Sequence, residues 1–111
     1  MILTEGGRRR LLKYQVDVLR IIPRTRWDRK WRMVIFDIPE RHKRARRSLR
    51  EKLREWGFYP LQKSVWIYPH ECRNELDFLI EYWGISPYVR LVEVTDFDGA
   101  DFLKRDFDLE K

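Results

Sequence analysis

One carboxylate, Asp37, stands where a buried strand is predicted to end and a basic helix to begin. The four residues before it, 33–36, are all apolar, which is typical of a strand buried on both faces. A carboxylate at the end of such a strand suits a divalent metal site. It equally suits a cap for the helix that follows Pro39. The sequence leaves both interpretations of Asp37 open.

The helix predicted over residues 41–56 has one apolar side and one basic side. Its apolar residues recur at helical spacing: Ala45, Leu49, Leu53 and Trp56. Like charges at this spacing repel, and a helix N-terminus favours anions, so stability alone does not explain the basic side. Phosphate neutralisation explains it better than a merely solvated surface does. We therefore predict a nucleic-acid-binding set made of Arg41, Lys43, Arg44, Arg47, Arg50 and Arg54, with Arg8, Arg9 and Arg10 from the N-terminal segment.

The net charge of +6 is unevenly distributed along the chain. Residues 1–63 hold 19 Lys/Arg against 7 Asp/Glu, whereas residues 64–111 hold 5 against 11. Such asymmetry predicts a half that faces a polyanion, and nucleic acid is the commonest polyanion.

Several other kinds of site are excluded or disfavoured by composition. Cys72 is the single cysteine and there are two histidines, so neither a disulfide framework nor a structural zinc cluster is predicted. His42 is interpreted as a packed residue, and His70 as a cap for the second helix. No apolar run approaches the roughly 18 residues of a membrane span, and no signal peptide is apparent. We expect a cytoplasmic protein without a membrane partner.

The order of predicted elements gives the fold class. After the first strand and basic helix come two short strands, or one bent strand, around Pro60. A second helix over residues 72–83 and a strand over residues 88–94 follow. Both helices end in Trp-Gly, a left-handed cap signal. This is an α+β, ferredoxin-like βαββαβ fold with a four-stranded antiparallel sheet and both helices on one face. Asp98 is predicted to cap a short final helix with Phe102, Leu103 and Phe107 on its apolar side.

The remaining segment, residues 1–30, is predicted to be a short basic helix capped by Thr4, followed by a linker from residue 15. We divide the chain into this segment and a ferredoxin-like domain over residues 31–111. Two helices cover only one face of a sheet whose strands are apolar on both sides. The open face therefore predicts a homodimer that packs sheet against sheet.

Two sequence blocks carry a family resemblance: residues 31–40 (WRMVIFDIPE) and residues 61–69 (LQKSVWIYP), with Arg47, Leu49, Arg50 and Gly57-Phe58 between them. They resemble the central domain of PaaX-type transcriptional regulators. That domain is itself similar to the small CRISPR adaptation nuclease, the second Cas protein (Cas-two). The resemblance covers residues 31 to about 95 and implies a ferredoxin-like dimer associated with duplex nucleic acid.

In the nuclease relatives, an aspartate that ends the first strand is the metal-linked residue. The resemblance thus implies that Asp37 is catalytic and binds Mg²⁺ or Mn²⁺ if this chain is a nuclease. Residues 3–8 (LTEGGR) are similar to the Leu-Thr-Glu-x-Gly-Arg pattern at the end of winged-helix units. That similarity implies a DNA-binding domain upstream.

Three functional hypotheses follow. The first is a non-catalytic, nucleic-acid-binding dimerisation domain of a PaaX-like regulator, which contacts phosphates through the basic helix. The second is a Cas-two-like metal-dependent endonuclease, or an adaptor that holds DNA for an integrase partner. The third is a protein-interaction module whose acidic C-terminal half binds a basic partner. The sequence favours the first.

Overall fold

The computed structural model describes residues 4–24 and 26–109. The helices are α1 (Glu5–Val18), α2 (Lys43–Glu55), α3 (Arg73–Trp83) and α4 (Ala100–Asp106). The strands are β1 (Trp31–Phe36), β2 (Tyr59–Gln62), β3 (Val65–Tyr68) and β4 (Val89–Val94). Two 3-10 turns, Glu40–His42 and Ser86–Tyr88, precede α2 and β4. All strands are antiparallel to their neighbours in the order β2-β3-β1-β4. The ferredoxin-like prediction is confirmed.

Glycines in the left-handed region end α2 and α3 as predicted. Gly57 has φ +94° and Gly84 has φ +67°. After Gly57, the backbone N–H of Phe58 donates to the carbonyl of Leu53 at 3.0 Å, which is the bond expected of this helix ending. Because glycine reaches positive φ without a steric penalty, these two positions turn the chain sharply back toward the sheet.

The helix-facing side of the sheet holds the larger core. Val34 and Phe36 of β1 and Trp66 of β3 lie there, packed with the apolar residues of α2 and α3. Leu49 and Leu53 of α2 are fully buried. This arrangement fixes how α2 is rotated: with its apolar side against the sheet, its basic side faces away from the core.

The other side of the sheet is covered in part by the chain itself, which the sequence did not predict. Trp31, Ile67 and Leu103 form a second buried cluster there. Leu103 belongs to α4, so the C-terminal helix packs across one end of this face. Two predictions for α4 were wrong. Its N-cap is Gly99 and not Asp98, without a side-chain cap, and Phe102, predicted to lie on the apolar side, is 51% exposed.

The N-terminal helix is longer than predicted and is tied to α2. Thr4 caps it as expected, with its hydroxyl accepting from the N–H of Gly7 at 3.0 Å. The helix continues to Val18, into the segment predicted to be a linker. The carbonyls at its C-terminal end are bound from α2: Lys52 Nζ donates to Asp17 and Trp56 Nε1 donates to Leu19, both at 3.0 Å. Leu3, the first residue of the winged-helix-like pattern, lies outside the described residues.

A buried arginine within β1 was missed by sequence reasoning. Arg32 is 2% exposed, and its guanidinium donates to the Asp28 carboxylate at 2.6 and 2.9 Å and to the Pro69 carbonyl at 3.0 Å. Glu93 lies 3.2 Å and Glu71 3.7 Å from the same group. The Arg32 network thus joins the linker, β1, β4 and the start of α3.

Glu71 also caps α3, which corrects the prediction that His70 does so. Its carboxylate accepts from the N–H groups of Cys72 and Arg73, both at 2.9 Å. These bonds, together with Arg32, lower the pKa of Glu71. The hydrogen bond from Arg32 likewise lowers the pKa of Asp28 to about 2, from an ordinary value of 3.8.

The Asp28–Arg32 pair gives a pH-dependent contribution to stability. Because the folded-state pKa of Asp28 is depressed, this contribution is present above about pH 4 and is lost as the pH falls toward 2. We expect Asp28→Asn to lower the free energy of unfolding at pH 7 by about 1.5–3 kcal/mol, as for hydrogen bonds to charged groups. Chemical denaturation at several pH values should show the difference shrinking between pH 4 and 2.

The control is Asp77→Asn, which removes an exposed partner of Arg73 and should change stability by less than about 0.5 kcal/mol. A difference between Asp28→Asn and wild type that stays constant down to pH 2 would contradict the assignment.

Candidate nucleic-acid interface

The cations of α2 fall into three groups by their contacts. Arg46 and Lys52 form the first group, whose side chains are bound by other parts of the protein. Arg46 donates to the Ile38 carbonyl at 3.1 Å and pairs with Glu40 at 3.0 Å. Lys52 is 6% exposed and bound to the end of α1. These two residues hold the structure together and offer little charge to a ligand.

Lys43, Arg44 and Arg47 form the second group, which we call the free cations. All three are exposed. Within residues 4–24 and 26–109, they have no hydrogen-bond or ion-pair partner for their side chains. Lys43 lies near enough to Glu40 to contribute to the lowered pKa of that carboxyl, behind the larger effect of Arg46. Full positive charge is therefore presented to solvent at the N-terminal half of α2.

Arg50 and Arg54 form the third group, the stacked arginines. The guanidinium of Arg50 lies 5.7 Å from the ring centroid of Phe36, and that of Arg54 lies 5.5 Å from the ring of Trp66. Both distances are within the range of cation–π attraction. These side chains are held against aromatic rings without being neutralised.

The remaining predicted cations lie at other places. Arg41 precedes α2; its guanidinium donates to the Tyr88 hydroxyl at 2.8 Å and lies 6.0 Å from that ring. Arg8, Arg9 and Arg10 are exposed on α1. The contacts between α1 and α2 involve the other end of α1, at Asp17 and Leu19. The structure brings the cations of α2 together on one helix, while those of α1 lie about two turns from its contact with α2.

Asp37 does not act as a helix cap, so one of the two interpretations that the sequence left open was wrong. Its side chain is exposed, and neither the turn Glu40–His42 nor α2 has a side-chain hydrogen bond at its N-cap. The backbone of Asp37 is held in place, because its N–H donates to the Tyr88 carbonyl at 2.9 Å.

The described residues of one chain do not form a metal site at Asp37. In the described part of the chain, no group of three or more His, Cys, Asp or Glu side chains is arranged to hold an ion. A magnesium site needs several oxygen ligands in near-octahedral geometry, so this donor set does not fit the ion. Catalysis by Asp37 stays a prediction that no contact supports.

A substitution separates these roles of Asp37. Asp37→Asn should change the free energy of unfolding by less than about 0.5 kcal/mol, because the carboxylate has no hydrogen-bond or ion-pair partner among the described residues. A cap would instead contribute about 1 kcal/mol. Urea denaturation at pH 7 measures the difference, with Thr4→Ala as the control for loss of an observed cap. A loss at Asp37 equal to that at Thr4 would contradict our description.

None of the helices that can be described is both long and apolar enough to cross a lipid bilayer.

Comparison with known families supports the resemblance read from the sequence. The model of the PaaX protein central Cas2-like domain matches residues 24–103. That range begins in the linker and ends at Leu103, within α4. It includes both sequence blocks, the Arg32 network and all of α2. A comparison with curated proteins finds no match. Since the family model covers well over half of the 111 residues, the chain belongs to the PaaX central Cas2-like domain family.

Proposed function

We propose that this chain is a nucleic-acid-binding, dimer-forming domain of a PaaX-type regulator, and that the basic side of α2 contacts the phosphates of duplex DNA. The observation that carries the proposal is the difference among the cations of one helix. Arg46 and Lys52 are paired within the protein, whereas Lys43, Arg44 and Arg47 are exposed and unpaired in the described ranges. A helix that leaves such cations unneutralised on its solvent side is suited to a polyanion.

Contacts of this kind explain affinity but not sequence choice. Lysine and arginine side chains that neutralise phosphates release counterions, which supplies a salt-dependent and sequence-independent binding energy. Reading of base sequence requires side chains in a groove. We therefore propose that this domain positions the DNA through its phosphates, and that other parts of the regulator recognise the bases.

The dimer in our proposal uses the part of the sheet that α4 leaves open. Ile35 and Val65 are register partners there, as are Met33 and Val92. Met33, Ile35 and Val65 are only half-buried, and Val92 is 38% exposed. A two-fold contact through this strip would remove apolar surface from water on both copies. Because α4 occupies the other end of the face, the contact is smaller than the whole-sheet packing that the sequence predicted.

The nuclease hypothesis is not part of the proposal. Among the residues that the structure describes, Asp37 has no neighbouring metal ligands, and no contact there favours cleavage over binding. An integrase partner has no supporting observation either. The protein-interaction hypothesis becomes an outcome of the binding experiment below, because a domain whose main partner is a protein has no reason to bind duplex DNA with a steep salt dependence.

Duplex binding measured over a range of salt concentrations tests the role of α2. We expect log Kobs to fall linearly with log[salt], and the double variant Lys43→Gln/Arg47→Gln to reduce the steepness by about 1.8, or about 0.9 per lost phosphate contact. Fluorescence anisotropy with a labelled duplex of arbitrary sequence gives both slopes.

The matched control is Arg73→Gln/Arg105→Gln, which removes the same charge from α3 and α4 and should leave the slope unchanged. Wild-type binding without salt dependence, or equal losses in the two double variants, would contradict the proposal.

Sedimentation velocity tests the dimer. We expect the wild-type domain to sediment as a dimer and Val92→Asp to sediment as a monomer, because a buried, unpaired carboxylate is costly. Leu11→Asp is the control, since Leu11 is 45% exposed on α1, away from the sheet. A wild-type monomer, or loss of the dimer in the Leu11 variant alone, would contradict this interface.

A further inference from the structure

The two stacked arginines differ from the free cations in how they are held. Phe36 is 3% and Trp66 is 4% exposed, so both rings are fixed parts of the core. They lie on neighbouring strands, β1 and β3, and on the helix-facing side of the sheet. The Trp66 ring is further fixed by its Nε1–H, which donates to the Lys63 carbonyl at 3.4 Å. Arg50 and Arg54 are one helical turn apart above these rings.

We propose that Phe36 and Trp66 are positioning residues, which hold the guanidinium groups of Arg50 and Arg54 as a preorganised pair of phosphate contacts. This inference rests on the proposed function and names which cations dominate binding. It assigns a larger share of affinity to the stacked pair than to the free cations Lys43, Arg44 and Arg47.

The physical reason is the conformational entropy of a long side chain. A free surface arginine loses most of its rotamer freedom when it binds a phosphate, and that loss opposes binding. An arginine already held over a ring has lost part of this freedom on folding. Its planar fork of N–H donors stays available at the edge of the stack, where it suits bidentate contact with a phosphate.

An aromatic support keeps the charge, unlike a carboxylate. Arg46 is also held in place, but by Glu40 at 3.0 Å, which cancels its charge toward a polyanion. No carboxylate pairs with Arg50 or Arg54 in the described part of the chain. The ring faces attract the cations through their quadrupole and leave the net charge intact.

A mundane alternative is that the arginine stems only cover the edges of the rings, as arginine stems often do. Under that alternative, truncating Trp66 would weaken the fold generally and would not act through Arg54. A double-mutant cycle separates the two, because coupling between the residues in DNA affinity appears only if one acts through the other.

The experiment measures duplex affinity at one salt concentration for wild type, Trp66→Leu, Arg54→Ala and the double variant. We expect Trp66→Leu to weaken binding about two- to fivefold, because the unsupported Arg54 side chain then loses more rotamer freedom when it binds a phosphate. The salt slope should not change, since the charge of Arg54 is kept. In the Arg54→Ala background, Trp66→Leu should cause no further loss. Equal losses in the two backgrounds would overturn the inference.

Two further variants guard against a general effect of core truncation. Phe58→Leu removes another buried ring, which stacks on Tyr68 with centroids 4.7 Å apart and supports no arginine; it should leave affinity unchanged. Trp66→Phe keeps a ring face and should recover most of the affinity lost in Trp66→Leu. Loss of affinity in Phe58→Leu equal to that in Trp66→Leu would overturn the inference.

A measurement without DNA tests the positioning itself. The Arg54 side-chain protons should show an upfield ring-current shift in the NMR spectrum of the wild-type domain, and Trp66→Leu should abolish it. Absence of the shift in wild type would overturn the inference even if the domain binds DNA. If the wild-type domain shows no salt-dependent binding, the proposed function fails together with the inference, whereas binding with an additive cycle overturns the inference alone.

Discussion

Burial of β1 on both of its faces is the constraint on which the rest of this domain depends. One face carries Val34 and Phe36 against α2 and α3, and the other carries Trp31 against α4. A central strand with two apolar faces requires cover on both sides. The cover on the first side fixes the rotation of α2, and that rotation turns its cations to solvent. The proposed DNA contact is thus a consequence of how the core packs.

Buried cations and the exposed cations of α2 have different roles in this domain. Arg32 is buried and is matched by Asp28, Glu93 and Glu71, so its charge ties the linker and α3 to the sheet. Lys52 is buried and binds a carbonyl at the end of α1. Because a buried charge is tolerated only when it is paired or hydrogen-bonded, these two are structural. The cations that lack such partners are those we assign to the ligand.

The sequence predicted the elements well because their signals are local. The apolar spacing of Leu49 and Leu53, and the glycines at 57 and 84, lie within single elements and give their limits directly. The family resemblance is also a local signal, because it rests on two contiguous sequence blocks. The N-terminal helix was predicted to end before residue 15, although residues 15–18 carry no stop signal and the helix continues to Val18.

What the sequence did not predict depends on contacts between distant residues. The packing of Leu103 on Trp31 and Ile67 joins three separate elements, and no spacing within α4 indicates which face it covers. A cap was one of the two roles of Asp37 that its order along the chain left open, yet its side chain is exposed and its backbone N–H is bound to the carbonyl of Tyr88, which is distant in sequence. One signal was available: a charged Arg32 inside an apolar strand, with Asp28 just before it, indicates a paired buried charge.

The central claim is that the basic side of α2 is the surface that meets duplex DNA. Titration of the ¹⁵N-labelled domain with a short duplex, followed by two-dimensional NMR, tests it residue by residue. We expect the largest shift changes on residues 43–54 of α2 and on the indole N–H of Trp66, with α4 unaffected. Shift changes confined to α3 and α4, with α2 unchanged at saturating duplex, would contradict it.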